Sequence, residues 1–329
     1  MIRFGVIGTN WITNKFIEAA NEHPRFSIGA VYSRTEERAR EFANQYGTET
    51  IFTDIKSMAM SDEIDAVYIA SPNSLHAKQA ITFLEHGKHV LCEKPIASNA
   101  NELRQMISAA QKHEVVLMEA MKNTLAPNFK VVFDHVHKVG KVRRYFASYS
   151  QYSSRYDAYK EGTILNAFKP EFSNGALMDI GIYCLYPIIV LFGKPEKVQA
   201  TGVMLDSGVD GAGSILLTYK DMDAIVTYSK ITDSSIPSEI QGEDANLIID
   251  KINVPEKVEI HYRNGSIEEL TQPQSKQPMY YEVEEFIQLI ESGQTESKIN
   301  SLSNSLQVME IIDECRRQIG VHYPADEGM

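Results

Sequence analysis

The sequence predicts an α/β domain with a doubly wound parallel sheet, followed by an α+β domain with a large, mainly antiparallel open sheet. Three observations lead there. Residues 2–118 alternate short apolar runs with amphipathic helical stripes. Those runs are apolar on both faces, as strands covered by helices on each side must be. Beyond about residue 123, strand follows strand with short returns, which pair antiparallel. The 329 residues suit two domains at roughly 150 residues each. We place them at 1–123 and 124–329, the last helix able to pack back on the first domain.

Ile2 to Ile7 is a β-branched strand, and Phe16, Ile17 and Ala20 begin the first helical face. Ile28 to Tyr32 is a second strand. Thr35 can cap the helix after it, which stops near Gly47. Ala66 to Ala70 is a third strand, and Ser74 is expected to cap a helix carrying Ala77, Ala80, Ile81 and Leu84. His89 to Cys92 and Val115 to Met118 are strands on either side of the stripe Leu103, Met106, Ile107 and Ala110. Phe129, Val132, Phe133 and Val136 mark one more helix.

Strands are then expected at Arg143 to Ser150, Lys197 to Met204, Ser214 to Tyr219, Ala224 to Lys230, Asn246 to Asp250 and Lys257 to Tyr262. Asn264-Gly265 is a two-residue hairpin signal. Val283, Phe286, Ile287 and Ile290 form a late helical face, and a final helix runs from about Leu302 to Ile319.

Composition narrows the function. The formal charge is −12, from 32 Lys plus Arg against 44 Asp plus Glu, without a basic patch. That field repels a phosphate backbone, so nucleic acid is not an expected partner. The apolar stretch Tyr183 to Phe192 is short of the ~20 residues that span a bilayer, so no membrane partner is expected. Three scattered cysteines suit a reducing, cytoplasmic setting, and no zinc spacing is present. No metal is expected.

The first strand runs into Gly8-Thr9-Asn10-Trp11-Ile12-Thr13. In a dinucleotide-binding unit, this is where backbone approaches a pyrophosphate at a helix N-terminus. Only the first glycine of G-x-G-x-x-G is kept, and Asn10 stands at the second position, tolerating a left-handed turn. An ordinary strand-to-helix turn would read the same. After the second strand come Ser33 and Arg34, with Arg38 one turn on and no acid for ribose hydroxyls. Cations there suit the 2′-phosphate of NADP. A solvated helix start is the plainer alternative.

Three further segments carry a family resemblance: Ser71-Pro72-Asn73-Ser74-Leu75-His76, Cys92-Glu93-Lys94-Pro95 and Gly175 to Cys184, which holds Asp179-Ile180-Gly181-Ile182-Tyr183. In order, they resemble the S/T-P-N-x-x-H, E-K-P and D-I-G-x-Y motifs of the Gfo/Idh/MocA oxidoreductases (glucose–fructose oxidoreductase, inositol dehydrogenase and relatives), in the dihydrodiol and xylose dehydrogenase branch. The tail Ile312 to Gly320 resembles the same branch.

The resemblance implies a Rossmann N-terminal domain and a C-terminal substrate and dimerisation domain. It implies that Lys94 sits by the nicotinamide and substrate, that Tyr183 is the acid/base, and that Pro72, Asn73 and His76 line the cofactor. Together with the turn and the cations read above, the expected cofactor set is Gly8, Thr9, Asn10, Trp11, Ile12, Ser33, Arg34, Arg38, Ser71, Pro72, Asn73, His76, Glu93 and Lys94. Oxidising a carbinol requires removal of its hydroxyl proton. A tyrosine with reference pKa ~10 needs roughly 4 kcal/mol of help near pH 7, and a neighbouring ammonium supplies it in the right direction. Taken alone, Tyr183 would be a core aromatic and Lys94 a surface cation.

Asp179, four residues before Tyr183, either orients a substrate hydroxyl or caps the helix. Where relatives often carry an aromatic residue and then arginine, this chain has Lys122-Asn123-Thr124, and Asn166 and Lys169 are further possible substrate contacts. The expected activity is an NADP-preferring oxidoreductase, with NAD possible, acting on a sugar, polyol or trans-dihydrodiol. The alternative is a non-catalytic cofactor-sensing or regulatory protein on the same fold. A homodimer or higher homo-oligomer is expected.

Overall fold

Residues 1–327 are described by a computed structural model. The chain opens β1 (Ile2–Ile7), α1 (Trp11–Ala20), β2 (Phe26–Tyr32), α2 (Glu36–Gln45), β3 (Ile51–Phe52), α3 (Ile55–Ala59) and β4 (Ala66–Ile69). It continues α4 (Asn73–Glu85), β5 (His89–Glu93), α5 (Ala100–His113) and β6 (Leu117–Ala120). The six strands form a wholly parallel sheet in the order β3-β2-β1-β4-β5-β6. The order reverses beside β1, which is the position where open α/β sheets bind ligands.

Next come α6 (Lys122–Leu125), α7 (Pro127–His135), β7 (Val142–Ser150) and α8 (Tyr156–Lys160). A π-helical turn, Leu177–Gly181, then leads directly into α9 (Ile182–Phe192). After it follow β8 (Lys197–Met204), β9 (Asp210–Thr218), β10 (Asp223–Ser229), β11 (Ser238–Gly242), β12 (Ala245–Ile249), β13 (Val258–Tyr262) and β14 (Ile267–Glu269). These and β7 make one eight-stranded sheet, β14-β13-β12-β11-β7-β10-β9-β8. The chain closes with α10 (Tyr280–Ser292) and α11 (Leu302–Ile319).

Two units result: Met1–Met121 with Lys276–Leu306, and Lys122–Ser275 with Gln307 onward. The single cut expected at 123/124 is therefore corrected. The segment containing α10 belongs to the first unit, where Phe286 meets Phe4 at 5.7 Å between ring centres. Beside them Phe16 stacks on Tyr68 at 3.6 Å.

Local differences have local causes. Ser74 does not cap α4: Pro72 takes that place with φ −55°, the helix begins at Asn73, and the Ser74 side chain falls inside the first turn. Thr35 holds the cap position of α2 without a side-chain cap bond. The strand expected at Val115 to Met118 is Leu117–Ala120, and the two-residue β3 and five-residue β11 carry too little pattern to be read. The large sheet has one parallel pair, β7 with β10, because the long connection between them runs through α8, α9 and the antiparallel strands β8 and β9 before β10 returns beside β7. The apolar run Pro170–Phe192 matches a membrane span in length and composition, yet 78% of its window is buried inside the fold. It is a core helix here.

Candidate active site

In the first unit, the parallel register brings four strand ends together. Ile7 pairs with both Tyr32 and Ile69, and Ile69 with Cys92. Gly8, Ser33, Ser71 and Lys94 consequently leave the same carboxyl edge. Gly8 has φ +102°, and a Cβ there would lie 2.5 Å from the Ala70 carbonyl oxygen. Only glycine lets β1 turn this close to β4.

Asn10 does not take the left-handed conformation expected of it. It is extended (φ −117°) and caps α1, its Oδ1 accepting from the amides of Ile12 at 3.0 Å and Thr13 at 3.3 Å. Its Nδ2 donates to Ala70 O at 2.8 Å, so one side chain ties the turn to β4. Trp11 is 64% exposed at the first helical position. The Gly8 to Ile12 turn thus retains the close approach and the helix N-terminus that a pyrophosphate needs.

Arg38 donates to Thr9 Oγ1 at 3.1 Å and Thr9 O at 2.9 Å, and pairs with Glu41 at 2.6 Å. It braces the turn from α2. Ser33 is half-buried at the end of β2 and Arg34 is exposed beside it, with no carboxylate at either position. The residues present fit a dinucleotide carrying a 2′-phosphate.

His76 is held by the turns of this edge. It is 1% exposed, with Nδ1 2.9 Å from Pro95 O and Nε2 2.9 Å from Ser71 O. Burial lowers its pKa, and both nitrogens are occupied by carbonyls. The ring therefore fastens the Ser71-Pro72 turn to the Lys94-Pro95 turn, the peptide of the latter being cis. Ser71 Oγ donates to Gln79 at 2.7 Å, and Asn73 starts α4 at this edge.

Glu93 lies buried beneath Lys94, accepting from Tyr68 OH at 2.5 Å and from the Lys94 amide at 3.2 Å. Lys94 itself is half-buried. Glu119, which sequence reasoning missed, accepts from the Ile96 amide at 3.0 Å and from Ser305. Burial pushes its carboxyl up to about 7. A lone acid in the apolar run of β6 was the available signal.

The second unit gathers the remaining candidates. Tyr183 is 7% exposed in the first turn of α9. Tyr149 meets its ring edge-on at 5.8 Å, and Lys122 Nζ stands 5.8 Å over the ring centre. Asn123 Nδ2 donates to Tyr183 O at 3.2 Å and to Ile252 O at 2.9 Å, fixing α6 against α9. Asp179 lies on the π turn rather than on an uninterrupted α-helix. The capping alternative for it fails, because buried Asp210 accepts from the Leu177 amide at 2.7 Å. Instead, Asp179 Oδ2 accepts from Lys230 Nζ at 2.5 Å.

Gly181 lets the Tyr228 ring of β10 press on this turn, where a Cβ would come within 3.2 Å. Asn166 and Lys169 flank buried Phe168 on a short 3₁₀ turn, and the Lys230 ammonium sits 5.2 Å over the Phe168 ring. Sequence reasoning missed Lys230, Lys122, Tyr149 and Asp210, all of which reach the site from separate elements. Among the described residues no group of three His, Cys, Asp or Glu side chains could hold a metal ion.

Residues 2–121 match the model of an oxidoreductase family with an NAD-binding Rossmann fold, and residues 136–268 match the Gfo/Idh/MocA C-terminal domain. The chain belongs to the Gfo/Idh/MocA oxidoreductase family. The family and its branch are those the motifs indicated. Like that family, this member is an NAD(P)-dependent oxidoreductase acting on CH–OH groups, not a non-catalytic sensor.

It is 55% identical over 99% of its length to the full scyllo-inositol 2-dehydrogenase (NADP(+)) IolU of Bacillus subtilis. It is 30% identical over 98% of its length to trans-1,2-dihydrobenzene-1,2-diol dehydrogenase of Xenopus laevis, covering 99% of that protein. Among solved structures, the 3-ketoreductase KijD10 of Actinomadura kijaniata with NADP and TDP-benzene matches with TM-score 0.83 and 25% identity over 98% of this chain and 99% of that one. Levoglucosan dehydrogenase with NADH and L-sorbose matches with TM-score 0.86 at 18% identity over 97% and 98%, a likeness of fold alone.

Proposed function

We propose that this oxidoreductase interconverts a cyclic polyol of the inositol class and its ketone, with NADP preferred over NAD. The observation that carries the reading is the 55% identity, along the whole chain, to an NADP-dependent scyllo-inositol 2-dehydrogenase. The carboxyl edge of the parallel sheet supports the cofactor choice. Gly8, Thr9, Asn10, Trp11 and Ile12 would hold the pyrophosphate, and Ser33 and Arg34 the 2′-phosphate.

When bound, the nicotinamide supplies the hydride acceptor or donor. The chain's own residues manage the proton. In oxidation, the Tyr183 hydroxyl oxygen takes the carbinol proton as the carbonyl forms, and in reduction it returns it. Lys94 donates a hydrogen bond to the substrate oxygen and favours the phenolate electrostatically. Glu93 and Glu119 hold the Lys94 turn from beneath. Asp179, Asn166 and Lys169 contact the substrate hydroxyls.

Initial rates with NADP⁺ and NAD⁺ against inositols, pentoses, hexoses and dihydrodiols test the reading. The highest kcat/KM is expected for an inositol with NADP⁺. A dihydrodiol or pentose that outperforms every inositol overturns the substrate, and an NAD⁺ preference overturns the cofactor.

We also propose a homodimer. The apolar Val203, Met204 and Leu216 on β8 and β9 support it, being 54%, 38% and 39% exposed. Native mass spectrometry at micromolar concentration is expected to show the dimer, and monomer alone contradicts it.

A further inference from the structure

The Lys230–Asp179 pair is asymmetric. The Lys230 side chain is 5% exposed, whereas that of Asp179 is 37% exposed. A buried ammonium thus holds one oxygen of a carboxylate that still reaches the surface of the turn bearing Tyr183. Lys230 is itself fixed from three sides. Its amide donates to Gly211 O at 2.8 Å, its carbonyl accepts from the Ser153 amide at 2.8 Å, and its ammonium covers the Phe168 ring. Phe168 in turn sits between Asn166 and Lys169. One buried cation therefore links the strand β10, the π turn and the short 3₁₀ turn.

We propose that Lys230 is a positioning residue for substrate recognition: it fixes Asp179 so that the carboxylate accepts a hydrogen bond from a polyol hydroxyl neighbouring the carbon that reacts. The inference deepens the polyol reading and rests on it. A carboxylate on a half-exposed turn has several rotamers, and a substrate that must select one loses affinity to that ordering. Pinning one oxygen to a rigid ammonium removes the cost and aims the group. The selectivity gained is for substrates with adjacent hydroxyls, since a deoxy analogue cannot use it.

The test compares scyllo-inositol with a deoxy-inositol lacking one hydroxyl beside the reacting carbon, using NADP⁺ and the full-length protein. Lys230→Met is expected to raise KM for scyllo-inositol roughly 10- to 100-fold with a much smaller loss in kcat, the range expected for one charge-assisted hydrogen bond. Discrimination between the two substrates is expected to shrink by a similar factor, and Lys230→Arg to restore most of it. A merely structural lysine would lower activity toward both substrates equally, which overturns the proposal.

Should Lys230→Met leave an unpaired carboxylate that prevents folding, the double variant D179N/K230M carries the same question without either charge. Its discrimination is expected to equal that of Asp179→Asn alone, and additive losses overturn the role. If the wild-type protein turns over no polyol, the activity reading falls and this one with it. Turnover with unchanged discrimination in the variants removes only the role of Lys230.

Discussion

The carboxyl edge of the parallel sheet and the Tyr183 face of the mixed sheet are built on different principles. At the first, backbone does the positioning. Consecutive strands end in register, Gly8 permits the close turn, and Asn10, Arg38 and His76 pin loops through carbonyl and amide contacts. At the second, side chains from separate elements do it. Lys230 reaches Asp179 across 51 residues of sequence, Asp210 caps a turn 33 residues earlier, and Asn123 fixes a helix 60 residues on. A backbone-built site tolerates change in exposed side chains but not at its turns. The side-chain-built site should respond sharply to single atoms.

The largest expected effect tests that contrast at one oxygen. Tyr183→Phe keeps the ring that packs against Tyr149 and removes only the hydroxyl. General acid–base catalysis contributes ~10²–10⁴-fold, so kcat should fall by that factor with NADP affinity and Tm unchanged. Stopped-flow or steady-state rates together with a thermal melt decide it. A loss below about threefold in a folded protein would mean that Tyr183 is only a core aromatic.

That difference in construction also explains what was legible in advance. The parallel strands, the glycine turn and the motifs at residues 71–76 and 92–95 are contiguous in sequence, so periodicity and spacing reveal them. The cap of α4 lies two residues before Ser74 because Pro72 supplies its own backbone angle. Lys230 was hidden because its strand reads as an alternating segment whose last residue should be solvated. Its partner lies on a π turn, and no local pattern announces either that turn or its distant cap Asp210. The parallel β7–β10 pairing was likewise invisible, since short returns elsewhere in the sheet all pair antiparallel.

The next effect concerns the acid beneath the Lys94 turn. Glu119 is raised from 4.5 to about 7 mainly by burial, so the folded state binds its proton more tightly than the unfolded chain does. Its contribution is fully present below pH ~4.5 and is lost as pH rises through about 7, amounting to roughly 3 kcal/mol. Glu119→Gln mimics the neutral acid and should flatten that decline. Urea titrations at pH 5 and pH 8 should show a smaller drop for the variant than for the wild type. Parallel curves would show that the carboxyl is already ionised in the fold, and that the Lys94 turn rests on charge rather than on a neutral hydrogen bond.

The smallest effect asks whether the backbone-built edge also reads side-chain charge. Arg34 is exposed beside Ser33, while Arg38 is occupied with Thr9 and Glu41. If the 2′-phosphate is held here, Arg34 is the cation available to hold it. A charge-assisted contact of this kind contributes roughly 1.5–3 kcal/mol. Arg34→Ala should therefore weaken NADP about 10- to 150-fold and leave NAD nearly untouched. Because the contact is partly solvated, the loss should shrink as salt rises. Titration of both cofactors at two ionic strengths separates the cases. Equal losses for the two cofactors would assign Arg34 to the fold of the turn. Unchanged affinity for both cofactors would point to Ser33 and the backbone amides as the main holders of the phosphate.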